Sequence, residues 1–424
     1  MLKKFVLFFI LYSFSIIYAQ KTSIEDVLLT AFNDERVQSN ATTKIFAEDL
    51  NYRLPLLRKV DVRFGINGNA TADTLDGRLR NEDYYAVSFA TNNFREMRLQ
   101  RAIKPAQINI YTVQNQVFIH QALLDRYQSL TNFFYEKKLL DERSQLSNLL
   151  NSKSDVLRIM LDNGESVRVK DVMDTENDKN SLGNALIDYE NNFNYNLQKI
   201  KQFLKIKNEL TIDYQSFITI DSIEQNIKSL QNDAAVLHPN IALRFAQMKY
   251  SAAESAYENA RDRNVFSYFQ AGYDRTAYDA VSLTKFKAVN NIAFRLGLTV
   301  PLPSNNNLKR SKAALQQKED EQNTILTRQL QQKSTDNQLI RIENFLKSYR
   351  LNEKSIKESL IQKLLNNPKL MQQTSPMEVL DLKISIKKMQ LRSLEIAYQI
   401  TTEYVRYLDL TGAMSFYPKK NFLK

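Results

Sequence analysis

Two pairs of short alternating segments recur roughly two hundred residues apart, each followed by a very long stretch that nothing in the sequence keeps from being helical. The first pair is Val60-Asp61-Val62-Arg63-Phe64-Gly65-Ile66-Asn67 with Tyr85-Ala86-Val87-Ser88-Phe89-Ala90. The second is Phe269-Gln270-Ala271-Gly272-Tyr273 with Ile292-Ala293-Phe294-Arg295-Leu296-Gly297-Leu298-Thr299-Val300. Small strands attached to helices too long for a globular core imply a wall or tube, in which one chain serves two different barrels. Shorter echoes keep the same order: Ser23-Ile24-Glu25 returns as Ser222-Ile223-Glu224, and Lys170-Asp171-Val172-Met173 as Met377-Glu378-Val379-Leu380. The chain therefore reads as one duplicated unit. The first repeat covers 20–221, with its strand pair near 60–90 and its hairpin tip near 162–173. The second covers 222–424, with its strand pair near 266–300 and its tip near 366–380.

Proline and glycine place the helices. Ala106 to Leu237 holds no proline, and its only glycines are Gly164 and Gly183; Ser304 to Asn367 holds neither residue. A helix of about 60 residues rises roughly 90 Å, longer than a small domain is wide. Apolar spacing says how such helices pack. Leu380, Ile384, Lys387, Leu391, Leu394, Tyr398, Thr401, Val405 and Leu408 follow one another in steps of four and three. Leu339, Ile342, Leu346, Tyr349, Ile356, Leu360 and Leu364 follow a similar track, broken by Glu353. This is coiled-coil spacing with polar interruptions, and it predicts lengthwise packing with the opposite face wet.

The turns are marked as well. Asn366-Asn367-Pro368 and Thr374-Ser375-Pro376 bracket the second tip. There Ser375 can cap the new helix, with Pro376 in its first position, where the missing amide costs nothing. The first tip centres on Asp162-Asn163-Gly164-Glu165-Ser166, and Gly164 supplies the left-handed residue a helix end prefers.

Lys3 and Lys4 precede a mostly apolar run from Phe5 to Ile17, and Ile17-Tyr18-Ala19 offers a small residue for cleavage before Gln20. Residues 1–19 are expected to be a signal peptide, because the run is shorter than the roughly 18–25 residues an anchor needs. The rest contains no comparable segment, so a membrane role falls to the strands. The absence of cysteine excludes disulfides, thiolate metal sites, a cysteine nucleophile and a lipid-modified N-terminal Cys. Two histidines, His120 and His238, argue against imidazole metal clusters and histidine triads. The eight glycines stand apart, so no phosphate loop forms, and no catalytic, cofactor or metal residues are expected. The net charge of +11 is interleaved along the chain rather than clustered, which reads as solvated helix faces and not as a nucleic-acid surface.

Along the strands, Val60, Val62, Phe64 and Ile66 alternate with Asp61, Arg63, Gly65 and Asn67. Ile292, Phe294, Leu296, Leu298 and Val300 alternate with Ala293, Arg295, Gly297 and Thr299. Lipid against a watery lumen, or a protein core against solvent, both explain the pattern. In the membrane reading Val62, Phe64, Phe294, Leu296 and Leu298 face lipid, and Gly68–Glu82 and Asp274–Asn291 are outer loops. Four strands cannot close a barrel alone, so several chains would contribute staves.

The layout resembles the TolC-type outer-membrane efflux family. The resemblance rests on Val300-Pro301-Leu302 after the fourth strand, and on His238-Pro239-Asn240 opening a helix with Ala246, Ala252, Ala253, Ala256 and Ala260. It rests also on the stretch from Ser375-Pro376-Met377-Glu378-Val379-Leu380-Asp381 through Tyr407-Leu408-Asp409-Leu410-Thr411-Gly412. It implies a mixed, mostly α fold: a homotrimer with a 12-stranded transmembrane β-barrel, four strands per chain, joined to a long periplasmic α-helical barrel. It also implies an outer-membrane location, no catalysis and no cofactor. The expected role is the exit duct of a tripartite efflux or type I secretion system, fed by an inner-membrane transporter through a periplasmic adaptor. With strands holding one end in lipid, the hairpin turns mark the other. Asp162, Gly164, Glu165, Ser166, Arg168, Asp171, Thr374, Ser375 and Met377 are thus expected at the periplasmic entrance and adaptor-docking surface. Asn366, Asn367, Lys369, Gln372 and Gln373 stand where relatives often carry constricting aspartates, which removes the usual acidic gate. The alternative is a periplasmic coiled-coil scaffold or interaction protein without a pore.

Overall fold

A computed structural model describes residues 20–50, 57–69, 79–91, 94–207, 210–212, 217–231, 237–261, 266–279, 287–298, 307–367 and 374–424. Residues 1–19, Val300-Pro301-Leu302, Pro368, Lys369, Gln372 and Gln373 lie outside these residues. The chain forms two compact units, each drawing on both halves of the sequence. One takes residues up to Ser39, Asn115–Asn240 and Arg328–Lys424; the other takes Asn40–Gln114 and Ile241–Thr327.

In chain order the elements are β1 (Gln20–Thr22), α1 (Ile24–Leu29), a 3-10 turn (Thr30–Asn33), α2 (Glu35–Asp49), β2 (Leu57–Asn69), β3 (Leu79–Thr91) and α3 (Phe94–Asp162). Next come α4 (Val169–Leu204), β4 (Leu210–Ile212), α5 (Ile220–Gln231), α6 (Pro239–Arg261), β5 (Phe266–Asp279) and β6 (Lys287–Leu298). The chain closes with α7 (Asn307–Lys357), α8 (Leu360–Leu365), α9 (Pro376–Thr411) and α10 (Ala413–Phe416). No helix among the described residues is long and apolar enough to cross a membrane.

The helical unit is built on α3, α4 and α9. Its main core joins Leu123, Tyr127 and Leu130 of α3, Ile200 of α4, Ile223 of α5, Ile342 of α7, and Ile400, Tyr404 and Leu408 of α9. A second cluster, Leu139, Leu146, Leu150, Ile384 and Leu391, continues the α3–α9 packing. The stripe expected in α9 holds: Ile384, Leu391, Thr401, Val405 and Leu408 are buried, and no position on it is fully exposed. Lys387 keeps its place there by pairing with Glu142 and bonding Gln145 Oε1 at 2.5 Å. A buried cation stem is tolerable when its head finds such partners. Burial also extends beyond the stripe to Ile396, Ile400, Tyr404 and Tyr407, because α9 is packed on more than one side.

Several helix boundaries differ from the sequence expectation. Pro105 lies inside α3, so the helix starts before the proline-free stretch does. A proline forfeits one backbone bond, and the turns on either side carry the helix past it. The expected continuous helix from Ser304 to Asn367 is two helices, α7 and α8, with Ser359 as the cap residue between them. Lys354 and Lys357 fill the last turn of α7, where cations suit the helix dipole. The break resets the helical phase, so Leu360 and Leu364 leave the stripe and are exposed. At the end of α4, Lys205 adopts φ 56° with no glycine present. Its amide bonds Gln202 O at 3.1 Å and the Ile206 amide bonds Lys201 O at 3.1 Å, which offsets the strained conformation.

The second unit carries an antiparallel sheet of order β2-β3-β5-β6, so the two strand pairs lie side by side. A parallel pairing of β1 with β4 in the helical unit went unforeseen, since three residues carry too little pattern. The four long strands also reach further than expected. Asn67–Asn69 pair with Arg80–Glu82, and Asp274–Tyr278 with Lys287–Asn291, which shortens both expected outer loops. Ladder bonds belong to the backbone and continue through polar residues that the alternation pattern does not register.

Candidate functional site

The register of the sheet sorts its side chains into uniform rows. Phe64 faces Tyr85, which faces Tyr273, which faces Ile292. The next row is Val62, Val87, Ala271 and Phe294, and the third is Val60, Phe89, Phe269 and Leu296. Ring contacts run across them: Phe64 meets Tyr85 edge-on at 5.9 Å and Phe269 stacks on Phe294 at 6.1 Å. Between these rows, and pointing the other way, lie Arg63, Ala86 and Gly272, then Asp61, Ser88, Gln270 and Arg295.

The two faces differ in shielding as well as polarity. Val62, Phe64, Phe294, Leu296 and Leu298, the residues expected to meet lipid, are each more than half exposed. On the polar face Ala86 and Gln270 are buried, and Asp61, Ser88 and Ala90 are half-buried. A hollow of about 250 Å³ on that side is lined by Lys59, Asp61, Arg63, Ser88, Ala90, Tyr268 and Gln270. The sheet therefore presents aliphatic and aromatic groups on one side, and polar and charged groups around a hollow on the other. Ile292 to Leu298 spans roughly 20 Å of strand at about 3.3 Å per residue, against an apolar band of about 25 Å for barrels that cross a membrane. Strands β2 and β6 each have a single neighbour in the sheet, which leaves two edges.

At the first hairpin turn Gly164 takes φ +73°. The Gly164 amide bonds Leu161 O at 3.0 Å and the Glu165 amide bonds Met160 O at 2.9 Å, closing the last turn of α3. Helix α4 restarts after Arg168. The tip charges pair locally and remain in water: Asp162 with Arg158 at 4.0 Å, and Asp171 with Arg168 at 3.8 Å. At the second tip Ser375 forms the expected cap. Its hydroxyl accepts from the Glu378 amide at 3.3 Å, while Glu378 Oε2 accepts from the Ser375 amide at 3.0 Å. The Ser375 amide and hydroxyl, both donating to the Glu378 carboxylate, hold it below the usual range. Pro376 stands at the helix start and Met377 is half-buried beside it. Lys153 binds Asp381 at 2.7 Å and Lys388 binds Asp178 at 2.6 Å, so the start of α9 lies alongside the α3–α4 turn region. Both tips thus belong to one end of the helical unit.

Nothing in the residue order marks the two histidines as neighbours. Their rings stand edge to face at 5.0 Å, and His120 Nε2 lies 2.8 Å from Asp409 Oδ1. The ligand atoms of His120, His238 and Asp409 fall within 4.8 Å of one another, although 118 residues separate the two imidazoles. His238 Nδ1 accepts from the Asn240 amide at 3.1 Å, which makes the imidazole the cap of α6. With Asp409 and Asn240 already engaging the rings, the group reads as a polar knot tying α3, the start of α6 and the end of α9. Gly412, φ +74°, ends α9 against it; an added Cβ there would stand 2.8 Å from the Cα of His238.

A two-faced sheet of four antiparallel strands with long helices is the fold of solved outer-membrane channels, and the chain has that fold. It superposes on CusC with a TM-score of 0.60 at 13% identity, covering 93% of each chain. The open-state MtrE outer membrane channel of Neisseria gonorrhoeae gives 0.61 at 12% identity, over 92% of this chain and 88% of that one. The CmeC outer membrane channel of Campylobacter jejuni gives 0.57 at 10%, over 95% and 89%. No family model and no curated protein matches the sequence.

Proposed function

We propose that this chain is one protomer of a non-catalytic exit duct in the bacterial outer membrane. Three copies contribute four strands each to a 12-stranded barrel, and their helices form a tube in the periplasm. An inner-membrane transporter and a periplasmic adaptor deliver substrates, as in tripartite efflux or type I secretion, and the tips at Asp162–Asp171 and Thr374–Met377 form the entrance they dock on. Residues 1–19 direct export, and the two halves of the chain descend from one duplicated unit.

The observation that carries this reading is the sheet. Three consecutive rows of apolar side chains on the outer side, nine of the twelve exposed, would be an aggregation hazard in water. Open edges on such a sheet are a second hazard. Lipid removes the first, and pairing β6 of one copy with β2 of the next removes the second, because backbone groups in hydrocarbon must all be paired. A soluble coiled-coil scaffold accounts for the helices and leaves both features without a purpose.

The test is direct. Full-length protein expressed in a bacterium with two membranes should fractionate with the outer membrane and run as a trimer in mild detergent. Single-channel conductance in planar bilayers should follow. A soluble periplasmic monomer overturns the proposal.

A further inference from the structure

On the inner side of the sheet the charges do not balance. Lys59 is engaged by Asp61 at 2.9 Å. Arg63 on β2 and Arg295 on β6 are both exposed, and neither has an acidic partner among the described residues. The residues in register with Arg63 across the sheet, Ala86 and Gly272, are small and bring no charge to it. Beside it lies the hollow whose polar walls include Ser88 and Gln270. Among the side chains described on this face, three cations, Lys59, Arg63 and Arg295, stand against one acid, Asp61.

Those two arginines stand on the two edge strands. If copies close through β6 against β2, as the duct reading on which this inference rests requires, Arg295 of one copy and Arg63 of the next come onto adjoining strands. The trimer then carries a belt of six guanidiniums facing its lumen. A guanidinium is always charged, and its planar fork matches the oxygens of carboxylate, phosphate or sulfate. A charged belt inside a narrow, low-dielectric wall focuses its potential on the passage. We infer that the strand region is an anion-preferring constriction, and that the duct's solutes include molecules bearing carboxylate, phosphate or sulfate groups. The face would act as a transit site: solvent screens both arginines, so retention is weak and brief.

The experiment uses purified full-length protein in planar bilayers under a potassium chloride gradient, with inorganic phosphate as the oxyanion probe. Reversal potential reports selectivity independently of how many channels open. The wild type should favour chloride over potassium, and millimolar phosphate should reduce the chloride current. In the Arg63→Gln/Arg295→Gln double variant the chloride-to-potassium permeability ratio should fall by about threefold or more and the phosphate effect should vanish. The Arg63→Lys/Arg295→Lys variant should keep the selectivity, which separates charge from assembly. Channels that conduct but favour potassium, or whose reversal potential is the same with and without the two arginines, overturn the inference while leaving the duct intact. Absence of any channel from the wild type removes the duct reading itself, and this inference with it.

Discussion

His120 Nε2 lies 2.8 Å from Asp409 Oδ1, a bond between residues 289 positions apart that places the His238 ring against a buried, already occupied partner. Burial, and next the neighbouring His120, push the His238 imidazole down to about 4, with Asp409 opposing. The fold therefore holds this ring neutral. The unfolded chain takes up its proton near pH 6.5, so the stabilisation is full above that value and is lost as pH falls toward 4. The shift amounts to about 3 kcal/mol. The thermal unfolding midpoint in detergent should accordingly drop between pH 7 and pH 5. Glu25 contributes at lower pH, because the Asn421 bond holds its carboxyl below the ordinary range. His238→Asn keeps a residue able to cap α6 and should flatten the drop. A variant with the wild-type pH profile would refute the assignment.

The α9 stripe and the break after α7 give a second contrast. Ile400 is fully buried, and Ile400→Ala should cost about 2–5 kcal/mol through lost contacts and the cavity left behind. Leu360 belongs to the stripe by sequence spacing alone and is 73% exposed. Leu360→Ala should stay within about 0.5 kcal/mol. Midpoints of chemical or thermal unfolding in one detergent decide the matter, and equal losses would mean that α8 continues the α7 phase.

Much of this architecture was legible because periodicity carries it. The echo of Lys170-Asp171-Val172-Met173 in Met377-Glu378-Val379-Leu380 puts Asp171 and Glu378 at the same place, the third residue of α4 and of α9. Both acids suit the positive end of their helix. The other echo aligns less well: Ser23 caps α1, whereas Ser222 sits inside α5, although Ile24 and Ile223 share one core. Positions fixed by tertiary packing left no local trace. Neither the left-handed Lys205 nor the histidine knot has a sequence signature, since each depends on partners that the chain brings together only on folding. The parity of the strands was readable, while their length was not, because polar residues continue a ladder without marking it.

The sheet offers a test of which face meets lipid. A cation at the middle of a lipid-facing strand costs roughly 2–4 kcal/mol, whereas the lumen side tolerates polarity. Leu296→Arg should therefore reduce trimer recovered from outer membranes far more than Ala90→Ser on the opposite face. Gly297, though on the lumen side by alternation, is a poor control. The ring of Tyr268 covers it so closely that any Cβ forces the ring to move. Similar loss from Leu296→Arg and Ala90→Ser would reverse the assignment of faces.

The charges of the first tip are the last point at which location and mechanism separate. Asp162 and Asp171 each pair within one turn of their own helix, and all four partners are well exposed. Pairs of this kind contribute about 0–1 kcal/mol, so Asp162→Ala/Asp171→Ala should leave the unfolding midpoint nearly unchanged. Their effect on closure is a different matter. In a ring of three tips the same carboxylates are free to exchange local arginines for those of a neighbouring copy, because a weak local pair is easily replaced by another of similar geometry. The double variant should then raise the leak conductance of the resting channel in planar bilayers, and raise it most at low salt, where such pairing is least screened. A leak that matches the wild type at every ionic strength would take these residues out of the closing mechanism and leave the tip as an entrance held shut by packing.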